Sequence, residues 1–239
     1  MPQRGDDTPG GLAERAAIAK MFAHDFKNPI SALSANLSYL QAVMGETDEE
    51  SRGAVDDSVF ALGVLLHLVD NYVAVARLEA GERVEATAVP LRQFVESALR
   101  ACRALISTSD VALRLEGEVP DVVCEWQLTY ASLVLKNLLL ASAAHAAGGE
   151  VVLRVFADGG RVTLAVSDTG APVDEACRAA LFSRGMQCRA KSLPGARYAR
   201  GFGLYAVGCG AAFLGGEASA GARGERPEFT AVLPIVDPE

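Results

Sequence analysis

A helical hairpin, paired in a dimer to make a four-helix bundle and followed by a layered α+β domain, is the fold class this sequence predicts. Three observations carry that prediction. Residues 11–45 set apolar side chains three and four apart with almost no breaker. A second stretch does the same after a short turn and closes at Gly81. From residue 83 short alternating runs mix with helical ones, in an order that suits helices layered on antiparallel strands. The expected divisions are a flexible tail at 1–10, the hairpin at 11–82 and the α+β domain at 83–239.

The first helix is marked by Ile18, Phe22, Phe26, Ile30, Leu33, Leu37, Leu40 and Met44, with Pro29 as its one breaker. GETDEE at 45–50 reads as a turn followed by acidic residues that favour a helix N-terminus. The second helix is marked by Val59, Leu62, Leu66, Val69, Val73 and Leu78. A lone hairpin cannot bury such stripes on both sides, which is why pairing with a second copy is expected. In the second domain, LRQFVESALRACRAL (91–105) predicts a helix and VALRLEG (111–117) a strand. LTYASLVLKNLLLASAAHA (128–146) predicts an apolar helix stopped by Gly148 and Gly149. VVLRVFA and RVTLAVSD flank a DGG turn as a β-hairpin. A short helix at ACRAALF, an irregular basic loop, a helix at LYAVGCGAAFL and a strand at EFTAVLPI complete the chain, which shows no internal repeat.

Composition narrows the function. Half of the 239 residues are hydrophobic and the net charge is −8, which supports a packed core and argues against a nucleic-acid backbone as partner. The five cysteines are scattered and lack CxxC spacing, so reduced thiols are expected rather than a disulfide frame or a zinc site. MPQRGDDTPGG has no apolar core of a signal peptide, and charge or glycine interrupts the apolar runs, so a cytoplasmic chain with no membrane span is expected.

The stretch FAHDFKNPISAL (22–33) sets a histidine beside an aspartate inside an apolar helix. Each helical residue turns about 100°, so His24 points away from both Phe22 and Phe26 and toward solvent. Asn28 lies one turn further on the same face, and Asp25 is within reach of the imidazole. Pro29 donates no N–H, which frees the Asp25 carbonyl and invites a bend. An exposed imidazole oriented by a carboxylate is a setting for a nucleophilic histidine.

HDFKNP resembles the phosphoacceptor box of histidine kinases, H-E/D-x-x-N/T-P. ARLEAGE (76–82) resembles the end of that family's second dimerisation helix. LKNLLLASAAHA (135–146) stands at the asparagine box, SDTGAP (167–172) is similar to the adenine-binding D-x-G box, and GFGLYAVGCGAAFLGGEASA (201–220) to the glycine-rich lid end and following helix. The five elements keep the family's order over most of residues 15–235. The resemblance implies a dimerisation and histidine-phosphotransfer hairpin followed by an α+β sandwich of the histidine-kinase ATPase type. It makes His24 the phosphoacceptor, Asp25 the acidic partner in proton movement, and Asn28 the residue that positions the regulator's chemistry or a hydrolytic water. Asn137, Asp168, Gly170, Gly201 and Gly203 are the matching nucleotide-site positions.

The sequence also departs from that pattern. Ala141 stands where the family's magnesium-binding asparagine is expected, Ala144 at its lysine position, Pro172 at the second glycine of the adenine box, and Ala199 at the first glycine of the lid. An alanine offers neither a lone pair to a metal nor a charge to a phosphate. The resemblance implies ATP and magnesium as cofactors; these substitutions weigh against their use, and no metal ligand is assigned. The leading reading is a histidine phosphotransfer protein that relays phosphoryl groups to or from response-regulator receiver domains, as a homodimer, with an upstream hybrid kinase as a further partner. The rivals are a working ATP-dependent histidine kinase and a non-catalytic protein that binds a regulator. The regulator's surface is expected beside His24, with Phe26 and second-helix residues packed beneath. His67 and Trp126 read as packing residues, His145 as a partner of its own helix's last carbonyls, and Arg189, Lys191, Arg197 and Arg200 as a solvated basic loop.

Overall fold

The computed structural model describes residues 9–43, 49–106, 111–146, 148–178, 180–186 and 203–236. They form two compact units that divide between Ala80 and Gly81. The expected tail at 1–10 lies outside the described residues up to Thr8, and Pro9 and Gly10 already belong to the first helix.

The first unit is a pair of helices, α1 (Pro9–Val43) and α2 (Glu49–Glu79). α1 is a single helix through Pro29. Among the described side chains its buried positions are Ala16, Ala19, Ala23 and Ile30, and those of α2 include Val55, Ala74, Val75, Ala76 and Leu78. Small side chains between the helices let them approach, and Ala16, Ala19 and Ala76 form a cluster that Ala80 extends. The larger apolar residues face outward: Phe26, Leu33, Tyr39 and Leu40 of α1, and Leu65 and Tyr72 of α2, are exposed. Phe26, expected with second-helix residues beneath a regulator's surface, is 55% exposed and lines a groove with Leu68, Val69 and Tyr72 of α2. One partner helix buries one face, and among the described residues alanines take much of it. α2 ends in a left-handed Gly81 (φ 70°), with the Ala80 N–H donating to the Ala76 carbonyl at 3.1 Å. By length and composition α2 holds a stretch, Ser51–Glu79, long and apolar enough to cross a membrane, although its interrupted apolar runs led to no span being expected; Asp70 lies within it, and Arg52, Asp56, Asp57, Arg77 and Glu79 lie nearer its ends.

The second unit runs β1 (Thr87–Pro90), α3 (Leu91–Ile106), β2 (Ala112–Leu115), β3 (Val123–Trp126), α4 (Leu128–Ala146), β4 (Glu150–Asp158), β5 (Arg161–Asp168), α5 (Glu175–Arg178), α6 (Gly203–Phe213), β6 (Glu217–Arg223) and β7 (Arg226–Pro234). Five strands form one sheet in the order β2-β4-β5-β7-β6, antiparallel except for the parallel β2–β4 pair, while β1 and β3 pair separately. The β4–β5 hairpin turns through Gly159 and Gly160, both at positive φ (54° and 74°), as a tight turn of the predicted hand requires.

Alternation buries Val162, Leu164, Val166 and Asp168 of β5, beside Phe229, Ala231 and Leu233 of β7. α4 is apolar nearly all round, and such a helix belongs inside: Tyr130, Leu135, Leu138 and Leu139 are almost fully buried. α6 lies against α4 through Gly210, where an added Cβ would come 2.9 Å from Val134 Cγ2. Trp126 is core, as expected: its Nε1 donates to the Pro234 carbonyl at 2.5 Å, and Phe94 meets it edge-on at 5.1 Å. On the sheet's outer side Arg114 and Arg226 both pair with Glu150 at 2.9 Å, and Arg223 with Glu116 at 2.8 Å. The Arg223 hydrogen bond holds the Glu116 carboxyl below its ordinary range. Cys102, Cys124, Cys177 and Cys209 are unbridged; Cys188 lies outside the described residues.

Candidate functional site

Strand β5 carries Asp168 to the buried end of the sheet, where its carboxylate is 0% exposed. One oxygen, Oδ1, accepts the Gly170 N–H at 2.7 Å, the aspartate closing its own turn. The same Oδ1 meets His145 Nδ1 at 2.6 Å. The other oxygen, Oδ2, is buried with no hydrogen-bond partner. A buried carboxylate oxygen left unpaired is expensive, and it accepts only from a donor. A ligand that presents an N–H or amine at Oδ2 would relieve it.

Two segments meet here because the chain staples them. The Thr169 N–H donates to the Glu150 carbonyl at 3.1 Å, and the Glu150 N–H donates to Thr169 Oγ1 at 3.0 Å. Gly149 makes this approach feasible, since a Cβ there would fall 1.8 Å from Thr169 Oγ1. Gly170 does the same for the imidazole: a Cβ would lie 2.2 Å from His145 Nδ1 and 2.3 Å from Cε1. The end of α4 and the Asp168 turn are therefore held at one place. His145, expected to meet the last carbonyls of its own helix, also reaches a carboxylate 23 residues away.

Asn137 lies two turns before His145 on α4, buried, with its Nδ2 donating to the Leu133 carbonyl at 2.8 Å. Its Oδ1 faces the first turn of α6, 3.2 Å from where a Cβ on Gly203 would be. The structure thus groups Asn137 with Gly203 and Asp168 with Gly170, all on α4 and the elements packed around it. Gly201, Ala199 and the basic residues Arg189, Lys191, Arg197 and Arg200 lie outside the described residues. Ala141 is 6% exposed, one turn beyond Asn137, and Ala144 is half-buried. Among the described residues no three His, Cys, Asp or Glu side chains come together as a metal cage. The buried Asp168 Oδ2 fits the amine of a nucleotide's base, and Ala141 offers no oxygen or nitrogen to its metal.

In the first unit, His24, Asp25 and Asn28 lie on α1; their side chains fall outside the described residues. Near them in sequence, Ala23 and Phe26 join Leu68, Val69 and Tyr72 around an apolar groove of about 400 Å³. Lys27 reaches across to Asp70 at 2.5 Å. Half-buried His67 sits 3.2 Å, Nε2 to Nδ2, from the buried Asn71 one turn along α2, in accord with a packing role.

No family model matches the chain. It is 28% identical over 201 residues to the virulence sensor protein BvgS of Bordetella pertussis, which covers 80% of this chain and 16% of that protein. It is 23% identical over 163 residues to the sensor histidine kinase MtrB of Mycolicibacterium paratuberculosis, covering 68% and 29%. The chain thus spans less than a third of the length of either curated relative. Full-length ShkA, solved in complex with AMPPNP, superposes with a TM-score of 0.59 at 24% identity, covering 91% of this chain and 45% of that one. The catalytic domain of histidine kinase ThkA gives 0.56 at 18% identity over 64% of this chain and 98% of its own. Histidine kinase AdeS of Acinetobacter baumannii gives 0.54 at 17%, over 89% and 98%. At these identities the structures establish a shared fold.

Proposed function

From its kinship with the two-component histidine kinases, we propose that this chain relays a phosphoryl group through a phosphohistidine at His24, to or from the aspartates of response-regulator receiver domains. An imidazole nitrogen of His24 attacks the phosphorus of a receiver's aspartyl phosphate; the P–N bond forms as the P–O bond breaks, and the pair of electrons leaves with the aspartate carboxylate. The reverse step loads the next receiver. Asp25 takes part in moving the imidazole proton, and Asn28 positions the receiver's groups or a hydrolytic water. A homodimer built on the hairpin supplies the docking surface and covers the outward Phe26, Leu33, Leu40, Leu65 and Tyr72, a set that one helix pair leaves in solvent. An upstream hybrid kinase is a partner of the right chemistry to charge the relay.

Impairment of the ATP site belongs to the same proposal, and Ala141 is the observation that carries it. It occupies a nearly buried position one turn from Asn137 and offers no oxygen or nitrogen to a cation. A metal on a triphosphate supplies several kcal/mol of charge stabilisation, and each ~1.4 kcal/mol is a factor of ten in rate. Its loss, with no lysine at 144, lowers self-phosphorylation by several decades.

The second reading, an ATP-dependent kinase, is favoured by one observation: the buried Oδ2 of Asp168, an unpaired acceptor suited to the amine of a base. Incubating the chain with γ-labelled ATP and magnesium, and in parallel with a labelled receiver domain, separates the two. The relay requires label on His24 from the receiver and none from ATP, with His24→Ala blank in both. Rapid labelling from ATP makes the chain a kinase. No label from either source, with receiver binding intact in His24→Ala, makes it a non-catalytic regulator-binding protein.

A further inference from the structure

We infer that His145 is a positioning residue of the base pocket: it fixes the Asp168 carboxylate so that Oδ2 alone meets the ligand, and the pocket then takes a heterocycle that offers an amine hydrogen. This rests on the base-pocket reading above and adds to it a residue that no motif assigns.

The geometry is specific. A carboxylate bearing Oδ1 and Oδ2 can flip or rock unless one oxygen is tied down. Here Oδ1 is held twice, by the Gly170 N–H at 2.7 Å and by His145 Nδ1 at 2.6 Å, while Oδ2 is buried and unpaired. Toward an aspartate the imidazole nitrogen is the donor, because an ionised carboxylate only accepts. With Oδ1 engaged on both sides, a ligand donor is left one acceptor, in one direction. The ring is itself held: its side chain is 11% exposed, Gly170 leaves it the room a Cβ would take, and the Thr169–Glu150 bonds tie its helix end to the aspartate's turn. A ring that served only to finish α4 would need none of these arrangements.

The test is equilibrium binding of adenosine and of purine riboside, which lacks the 6-amine, to the full chain without magnesium. Wild type is expected to prefer adenosine, and Asp168→Asn to lose that preference. His145→Ala is expected to bind adenosine roughly tenfold or more weakly, the scale of one hydrogen bond to a charged group. His145→Asn, whose Nδ2 stands near the position of Nδ1, is expected to recover binding to within about threefold. If His145→Ala binds adenosine as wild type does while Asp168→Asn does not, the inference is wrong and the base pocket stands. If His145→Asn stays as weak as His145→Ala, the ring acts through its bulk and the positioning role is overturned. If wild type binds neither nucleoside, the base-pocket reading itself falls and takes this inference with it.

Discussion

At Gly170 a methyl group would occupy space the His145 ring now fills. Gly170→Ala should therefore expel the ring from Asp168 and weaken adenosine binding about tenfold, with the helical content of the far-UV spectrum unchanged. Binding equal to wild type would show that the contact does not matter. Cys102 and Cys124 make the opposite kind of site. Burial pushes the Cys102 thiol up to about 12, against a partial lowering by Lys136, and the Cys124 thiol up to about 11. Thiols so placed should resist alkylation at pH 8 in the folded chain and react at the ordinary rate once it is unfolded. The unfolded thiol loses its proton first, near its ordinary value of 9.0, so stability falls as pH rises from there toward 11 and 12. A thiol that reacts at the free rate at pH 8 would contradict the burial. None of this was written in the local sequence. Asp168 and Gly170 stand in a visible D-x-G box, whereas the partner of His145 lies 23 residues on, in another element, beyond the reach of any periodicity.

Elements were legible where one signal dominated. α4 spans Leu128–Ala146, the bounds that its apolar run and the two following glycines predict. β4 and β5 flank the expected glycine turn. β1, β3 and β6 escaped, for reasons that differ. TAVP is four residues long and ends on proline, VCEW holds one alternating pair, and EASAGAR lacks the branched and aromatic side chains that mark a strand. These strands exist because neighbours complete them. On α1 the signal was partial: Ile30 of the predicted stripe is buried, Phe26 and Leu33 are exposed, and Ala16, Ala19 and Ala23 join the inner face, where close helix approach favours small size. At the junction of α6 and β6 the chain has little tolerance. A Cβ on Gly216 would lie 2.2 Å from the Val232 carbonyl oxygen, a backbone atom that cannot move aside. Gly216→Ala should cost roughly 2–4 kcal/mol, read as a lower urea midpoint from the fluorescence of Trp126, the chain's single tryptophan. An unchanged midpoint would mean that the hairpin relaxes freely.

For the whole molecule, the exposed apolar groove around Phe26 and Tyr72 belongs to the first unit alone. A second copy is the proposed cover, so Phe26→Glu with Tyr72→Glu should convert a dimer to monomers in sedimentation equilibrium, leaving the Trp126 fluorescence of the second unit unaltered. A wild-type chain that sediments as a monomer at high concentration would remove the dimer from the proposal. The two units thus present separable chemistry: an imidazole on a helix in one, a buried carboxylate at the end of a strand in the other.

Strand β7 comes after every other strand yet lies inside the sheet, bonded to β5 on one side and β6 on the other. While a ribosome is still making residues before Arg226, β5 has an open edge and β6 has no neighbour at all. The nascent second unit therefore waits, sticky and incomplete, for its final hairpin, and a message cut short of that point yields a product for chaperones and proteases rather than a smaller working protein.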